Sequence, residues 1–187
     1  MNYTMGKTVY YLPGRHGRVA TGLGEGILEL GYELKGRETP WSFEGLTFAE
    51  QLDLIIQDLR ADFWTEYSKV IAVSYGAYLL LNALAEQEPY PGSILLLSPV
   101  LGEVTGGKSM RYYSPPRPSR IIDLAKAELF PPPKHIEIHV GDSDWQSPYE
   151  RVINFADAVG GEYSFVPDTE HDLGKSYVSP VLKKWIT

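Results

Sequence analysis

Six short apolar runs alternate with helical patterns along the chain, and this alternation constrains the fold more than any other feature. The runs are 8–12 (TVYYL), 32–37 (YELKGR, the weakest), 69–74 (KVIAVS), 93–98 (SILLLS), 135–140 (HIEIHV) and 162–167 (EYSFVP). Continuous runs such as Ile94-Leu95-Leu96-Leu97 suit strands covered on both faces, the condition of a parallel sheet. The helices between them carry start and stop signals. Thr47-Phe-Ala-Glu50 reads as a capping box, followed by Leu52, Ile55, Ile56, Leu59 and Phe63 on one face. Ser147-Pro148-Tyr149-Glu150 reads as a second box with proline at the first helical position, and Gly160-Gly161 as the stop. Strand and helix alternating in this way predict a doubly wound, mostly parallel α/β sheet of about six strands flanked by helices.

The 187 residues suffice for one domain with a sizeable core. A net charge of -7 argues against a general nucleic-acid binder, which needs a basic face to displace phosphate counterions. No stretch approaches the roughly 20 apolar residues of a membrane span, and the start shows no secretory pattern. Cysteine is absent, which excludes disulfides and thiolate metal sites. A cytosolic, cytoplasmic protein without nucleic-acid partner is the expectation.

Residues 103–134 break the rhythm. They hold six of the 14 prolines, a density that excludes a central strand. A short helix is expected from Ile121 to Leu129, within an insertion of the kind that forms lids or binding loops. The insertion carries Lys108, Arg111, Arg117, Arg120, Lys126 and Lys134 against three acidic residues. Arg111 and Tyr112 are its candidate substrate-binding residues, at the mouth of a pocket for a carboxylate or phosphate. The competing reading is a solvated, proline-stiffened surface.

In an open parallel sheet, binding groups collect beyond the carboxyl ends of the strands. Ser74 ends the third run, Gly141-Asp142-Ser143-Asp144 follows the fifth, and Asp168-Thr169-Glu170-His171 follows the sixth. A hydroxyl, a carboxylate and an imidazole thus fall on one edge. Serine is a poor nucleophile until a base takes its proton; histidine does so near neutral pH, and a carboxylate fixes its tautomer. Around Ser74 the small residues Ala72, Gly76 and Ala77 would let strand and helix meet closely.

With these residues in place, the chain resembles the α/β-hydrolase family, in the form of its small single-domain esterases. Ala72-Val-Ser-Tyr-Gly76 differs from the family's G-x-S-x-G elbow by one small-for-small change. "HVGDSDWQSP" resembles the turn that carries the family's acid, three residues after the glycine, and "TEHDL" the turn of its histidine. The resemblance covers nearly the whole chain and implies a minimal core lacking the family's first two strands. It implies catalytic Ser74, Asp144 and His171, with Asp142 the competing acid. It also implies an oxyanion hole made of main-chain N–H groups from Tyr75 and from the loop YLPGRHG. Arg15 is the chosen donor there, and His16, also a candidate substrate contact, is the alternative. One such donor is worth roughly 2.7–4 kcal/mol in the transition state. The implied activity is hydrolysis of an ester-type bond in a small-molecule acyl substrate, with no cofactor and no metal. Acyl transfer, lyase chemistry or a non-catalytic binding module on the same fold remain alternatives.

Three other patterns lead nowhere. His135 and His139 alternate with Ile136, Ile138 and Val140 and so lie on a strand, about 13 Å apart, too far to share a metal. Gly6-Lys7-Thr8 lacks the earlier glycine of a phosphate loop, and Gly22, Gly24 and Gly26 lack the third glycine of the dinucleotide spacing.

Overall fold

A computed structural model describes residues 7–106 and 111–187. Its elements are β1 (Thr8–Leu12), α1 (Leu23–Glu29), β2 (Glu33–Gly36), α2 (Trp41–Glu44), α3 (Phe48–Asp62), β3 (Lys69–Val73) and α4 (Tyr75–Leu84) in the first half. Then follow β4 (Ser93–Leu97), β5 (Val104–Gly106), β6 (Arg111–Tyr113), α5 (Arg120–Lys126), β7 (His135–Gly141), α6 (Tyr149–Val159), β8 (Glu162–Val166) and α7 (Lys175–Ile186). Six strands make one sheet in the order β2-β1-β3-β4-β7-β8, and every pairing is parallel.

Alternation along the strands explains the two layers. Tyr10, Leu12, Val70, Ala72, Ile94 and Leu96 face one core with Leu52, Ile55 and Leu59 of α3, the buried α4, and Phe155 of α6. Val9, Tyr11, Ile71, Leu95 and Leu97 face the other, under Ile27 of α1 and Leu182 and Ile186 of α7. Because consecutive side chains of β1, β3 and β4 are wanted on both sides, those strands are apolar throughout. β2 is the sheet edge and largely exposed, which accounts for its weak signal.

The capping box at Thr47 forms in both directions: Glu50 N–H donates to Thr47 Oγ1, and Thr47 N–H donates to Glu50 Oε2 at 2.8 Å. Gly160 takes the left-handed conformation, φ 66°, that ends α6. The expected second box is not there. Pro148, not Ser147, is the N-cap of α6, and no side chain caps it. The fully buried Ser147 hydroxyl instead donates to Pro99 O at 2.7 Å, tying the start of α6 to the loop after β4. A buried hydroxyl takes whichever acceptor lies within reach, and here that is a carbonyl distant in sequence.

Within 103–134 the expected helix is α5, which stops at Lys126 rather than Leu129. The insertion also holds the antiparallel ribbon β5–β6, separate from the main sheet. Lys108 and the side chains of Arg111 and Tyr112 lie outside the described residues.

Gly76 shows how tightly α4 meets the sheet. A Cβ there would stand 2.3 Å from Pro13 O and 2.6 Å from Leu12 O. Both are backbone atoms, so they cannot swing aside. Gly76→Ala should therefore cost about 1–3 kcal/mol of stability in urea unfolding. Wild-type stability in that variant would mean the loop after β1 yields freely.

Candidate active site

Ser74 is the residue between β3 and α4. Its φ of 51° and ψ of -117° are unusual for a side-chain-bearing residue, a strain of order 1–3 kcal/mol that persists only when the surroundings enforce it. Here they do. The Ser74 N–H donates to Leu97 O at 3.0 Å, and its carbonyl accepts from Val100 N–H at 3.1 Å and Tyr78 N–H at 3.3 Å. The turn lifts the hydroxyl out of the sheet toward the loop after β1. A Cβ on Gly14 would lie 3.4 Å from Ser74 Cβ and 3.9 Å from Oγ.

The loops after β7 and β8 complete the arrangement. Ser74 Oγ is 2.8 Å from His171 Nε2, and His171 Nδ1 is 2.8 Å from Asp144 Oδ2. The Asp144 side chain is fully shielded from solvent and that of His171 about a quarter exposed. The other carboxylate oxygen, Oδ1, accepts from Gln146 N–H at 2.8 Å and Ser147 N–H at 3.2 Å. Both oxygens of the buried carboxyl group thus have hydrogen-bond partners, which makes its burial tolerable. With the Nδ1 proton donated to the carboxylate, Nε2 is left to accept from the serine hydroxyl.

Close approach of the two loops is what brings His171 over Asp144. A Cβ on Gly141 would fall 2.1 Å from Thr169 O and 2.3 Å from Glu170 O. Asp142 pins the same turn from outside: the Ser143 hydroxyl donates to its Oδ1 at 3.0 Å, and Thr169 N–H does so at 3.4 Å. The Ser143 hydrogen bond, followed by main-chain N–H groups, holds the Asp142 carboxyl below its usual range. Asp144, not Asp142, meets His171. Asp172 accepts from Gly174 N–H at 2.9 Å, beside the start of α7.

The main-chain N–H groups expected as donors lie in two places: one follows Ser74 in the chain, and the others are in the loop after β1. Tyr75 is the first residue of α4, where an N–H has no intrahelical acceptor. Gly14 to Gly17 form a turn closed by Gly17 N–H donating to Gly14 O at 2.9 Å. The N–H groups of the central residues Arg15 and His16 are not spent on that bond, and the φ of 58° at His16 is of the sign a type II turn requires at its third position.

No family model matches the chain, and no curated protein matches it in sequence. Solved structures do. An uncharacterized protein from Bacillus cereus superposes over the full length of this chain and 60% of its own, at 14% identity and a TM-score of 0.67. The ydeN gene product of B. subtilis covers 96% of this chain and 98% of its own at 15% identity, TM-score 0.65. A monoacylglycerol lipase from Paleococcus ferrophilus covers 96% and 93% at 11% identity, TM-score 0.66. The chain has the α/β-hydrolase fold.

On that fold, Glu44 and Trp41 carried no sequence signal, and both meet the turn that holds Arg15 and His16. Glu44, at the end of the four-residue α2, accepts from Arg15 Nε at 2.5 Å and Nη2 at 3.3 Å, and stands 3.2 Å from His16 Nε2. His16 stacks on the exposed Trp41 at 3.7 Å between ring centroids. The Arg15 guanidinium also lies 5.7 Å from the Tyr75 ring centroid and 5.0 Å from that of Tyr113 in β6. Burial pushes the Tyr75 phenol well above its ordinary range.

Three of the insertion's six basic residues are paired with carboxylates outside it. Arg117 and Arg120 both reach Glu86, at 3.0 and 2.8 Å, and Lys134 reaches Glu66 at 3.1 Å. His135 and His139 both lie in β7; His139 bonds through Nδ1 to the Tyr177 hydroxyl and through Nε2 to Glu137, each at 2.7 Å. A groove of about 410 Å³ runs past Gly36, Arg37, Phe43, Leu46 and Leu54, but Ser74, Asp144 and His171 do not line it. Among the described residues, no helix is long and apolar enough to cross a membrane.

Proposed function

We propose that this protein is a serine hydrolase that cleaves an ester-type bond of a small-molecule acyl substrate. The observation that carries the proposal is the chain Ser74 Oγ–His171 Nε2–Asp144, with 2.8 Å at each step. Ser74 attacks the carbonyl carbon while His171 takes its proton. Asp144 keeps the Nδ1 proton in place and stabilises the imidazolium. The developing oxyanion is met by the N–H groups of Tyr75 and Arg15. Collapse of the tetrahedral intermediate expels the alcohol, which receives the proton from His171. Water, activated by the same imidazole, then releases the acid and restores Ser74. The pairing of Arg15, Arg117, Arg120 and Lys134 with carboxylates favours a substrate that is neutral near the scissile bond. The insertion 103–134 acts as the cover of the acyl site in this reading, with Tyr113 set against Tyr75 at 6.2 Å.

A fluorophosphonate applied to native protein should give one adduct, on Ser74 by peptide mapping, and none after heat denaturation. Absence of an adduct on folded protein, or its appearance on another serine, would overturn the assignment.

A further inference from the structure

Between β2 and α3 the chain grips the Gly14–Gly17 turn at two places. Thr39, almost completely buried, donates through Oγ1 to Gly14 O at 2.7 Å and accepts from Gly17 N–H at 3.2 Å. Thr39 N–H in turn donates to Gly17 O at 3.2 Å. These bonds hold the two ends of the turn. At its centre, Glu44 is the side chain that meets both Arg15 and His16 through polar atoms. That carboxylate takes a two-point hydrogen bond from Arg15 and lies within reach of His16, whose ring is pressed on Trp41.

We propose that Glu44 is a positioning residue for the oxyanion hole: through the Arg15 guanidinium it sets where the Arg15 N–H stands relative to Ser74. This rests on the serine-hydrolase reading. A guanidinium–carboxylate fork fixes direction as well as distance, because two parallel bonds forbid rotation. The guanidinium also lies 5.7 Å from the Tyr75 ring centroid and 5.0 Å from that of Tyr113, so the Glu44 fork holds Arg15 beside the residue that supplies the other donor. The ion pair is real at neutral pH. Burial opposes ionisation of Glu44, but the hydrogen bonds from Arg15 and His16 win and hold its carboxyl below the usual range. The same fork holds the Arg15 guanidinium above its ordinary value.

The magnitude of such pairs separates positioning from mere support. Arg15 is nearly half exposed in its side chain, and a partly exposed ion pair adds little to stability. A displaced oxyanion donor, by contrast, costs rate steeply, since an error near 1 Å can cost on the order of a hundredfold. Glu44→Gln keeps the shape of the side chain and removes its charge. With p-nitrophenyl acetate, kcat should fall roughly ten- to a hundredfold, with KM changed by less than about twofold. Tm should move by no more than about 2–4 °C. Affinity for phenylboronic acid, whose tetrahedral adduct on Ser74 puts a hydroxyl in the oxyanion site, should fall in step with kcat.

A second construction guards against indirect unfolding. In an Arg15→Met background, Glu44→Gln should cost less than about threefold more, because the path through Arg15 is already gone. Wild-type kcat in Glu44→Gln, a loss seen only in KM, or multiplicative losses in the double variant would each overturn the role of Glu44 while leaving Ser74 labelling and wild-type turnover intact. Loss of labelling and turnover in the wild type would overturn the hydrolase reading, and this inference with it.

Discussion

Ser74→Ala and His171→Ala should each lower kcat on an activated ester by roughly 10⁴- to 10⁶-fold, and the double variant should lose no more than either alone. The non-additivity is the informative part. Oγ and Nε2 share one proton across 2.8 Å, so removing either end ends the same event. Folding should survive both changes. The Ser74 main chain keeps its bonds to Leu97, Val100 and Tyr78, and the His171 ring is partly exposed on a loop. Thermal unfolding near the wild-type temperature alongside lost turnover is therefore expected. Steady-state kinetics on each variant, purified in parallel with the wild type and with a mock preparation as background, measures it. Full turnover in either single variant would refute the nucleophile–base assignment, and independent multiplicative losses would show that the two groups act in separate steps.

The sheet was readable because its strands must satisfy two layers at once. Ile94 to Leu97 and Val70 to Ala72 are apolar at consecutive positions because α1 and α7 cover one face and α3, α4 and α6 the other, and the observed strands begin and end within a residue or so of the apolar runs. The convergence of Ser74, His171 and Asp144 was readable for a related reason: in such a sheet, binding groups collect just past the carboxyl ends of the strands. What stayed hidden is short or irregular. The strands β5 and β6 have three residues each and α2 has four, too few for any period to show. Ser147 followed by Pro148 and Glu150 satisfies the pattern of a capping box, yet its hydroxyl is drawn to Pro99 O, a partner 48 residues away that no local pattern can display. Glu44 is hidden in the same way: its partners are 29 and 28 residues earlier, and only the folded turn of Gly14–Gly17 makes them neighbours. The pairing of Arg117, Arg120 and Lys134 was hidden too, because Glu86 and Glu66 lie outside the insertion.

The second large effect distinguishes the two aspartates of the turn after β7. Asp144→Asn should lower kcat by about 10⁴-fold, whereas Asp142→Asn should leave it within about threefold of wild type. The reasoning starts from the hydrogen bonds each carboxylate makes. In Asp144→Asn the amide oxygen can keep accepting from the N–H groups of Gln146 and Ser147, so the turn stays closed. That leaves the NH₂ group facing His171 Nδ1. An amide nitrogen only donates, so Nδ1 must become the acceptor and the ring proton moves to Nε2. Nε2 then donates toward Ser74 Oγ and can no longer take its proton, and the negative charge that would stabilise the imidazolium is gone as well. In Asp142→Asn the side-chain oxygen still accepts from the Ser143 hydroxyl and Thr169 N–H, and no group on His171 changes its partner. Side-chain exchange of the two effects, a large loss in Asp142→Asn and a small one in Asp144→Asn, would transfer the acid role to Asp142 and require the loop after β8 to approach the sheet differently from the arrangement described. A 10⁴-fold loss at Asp144 with an unshifted Tm would instead tie the rate to the tautomer of one imidazole and to the charge beside it, since the carboxylate and its amide share their shape.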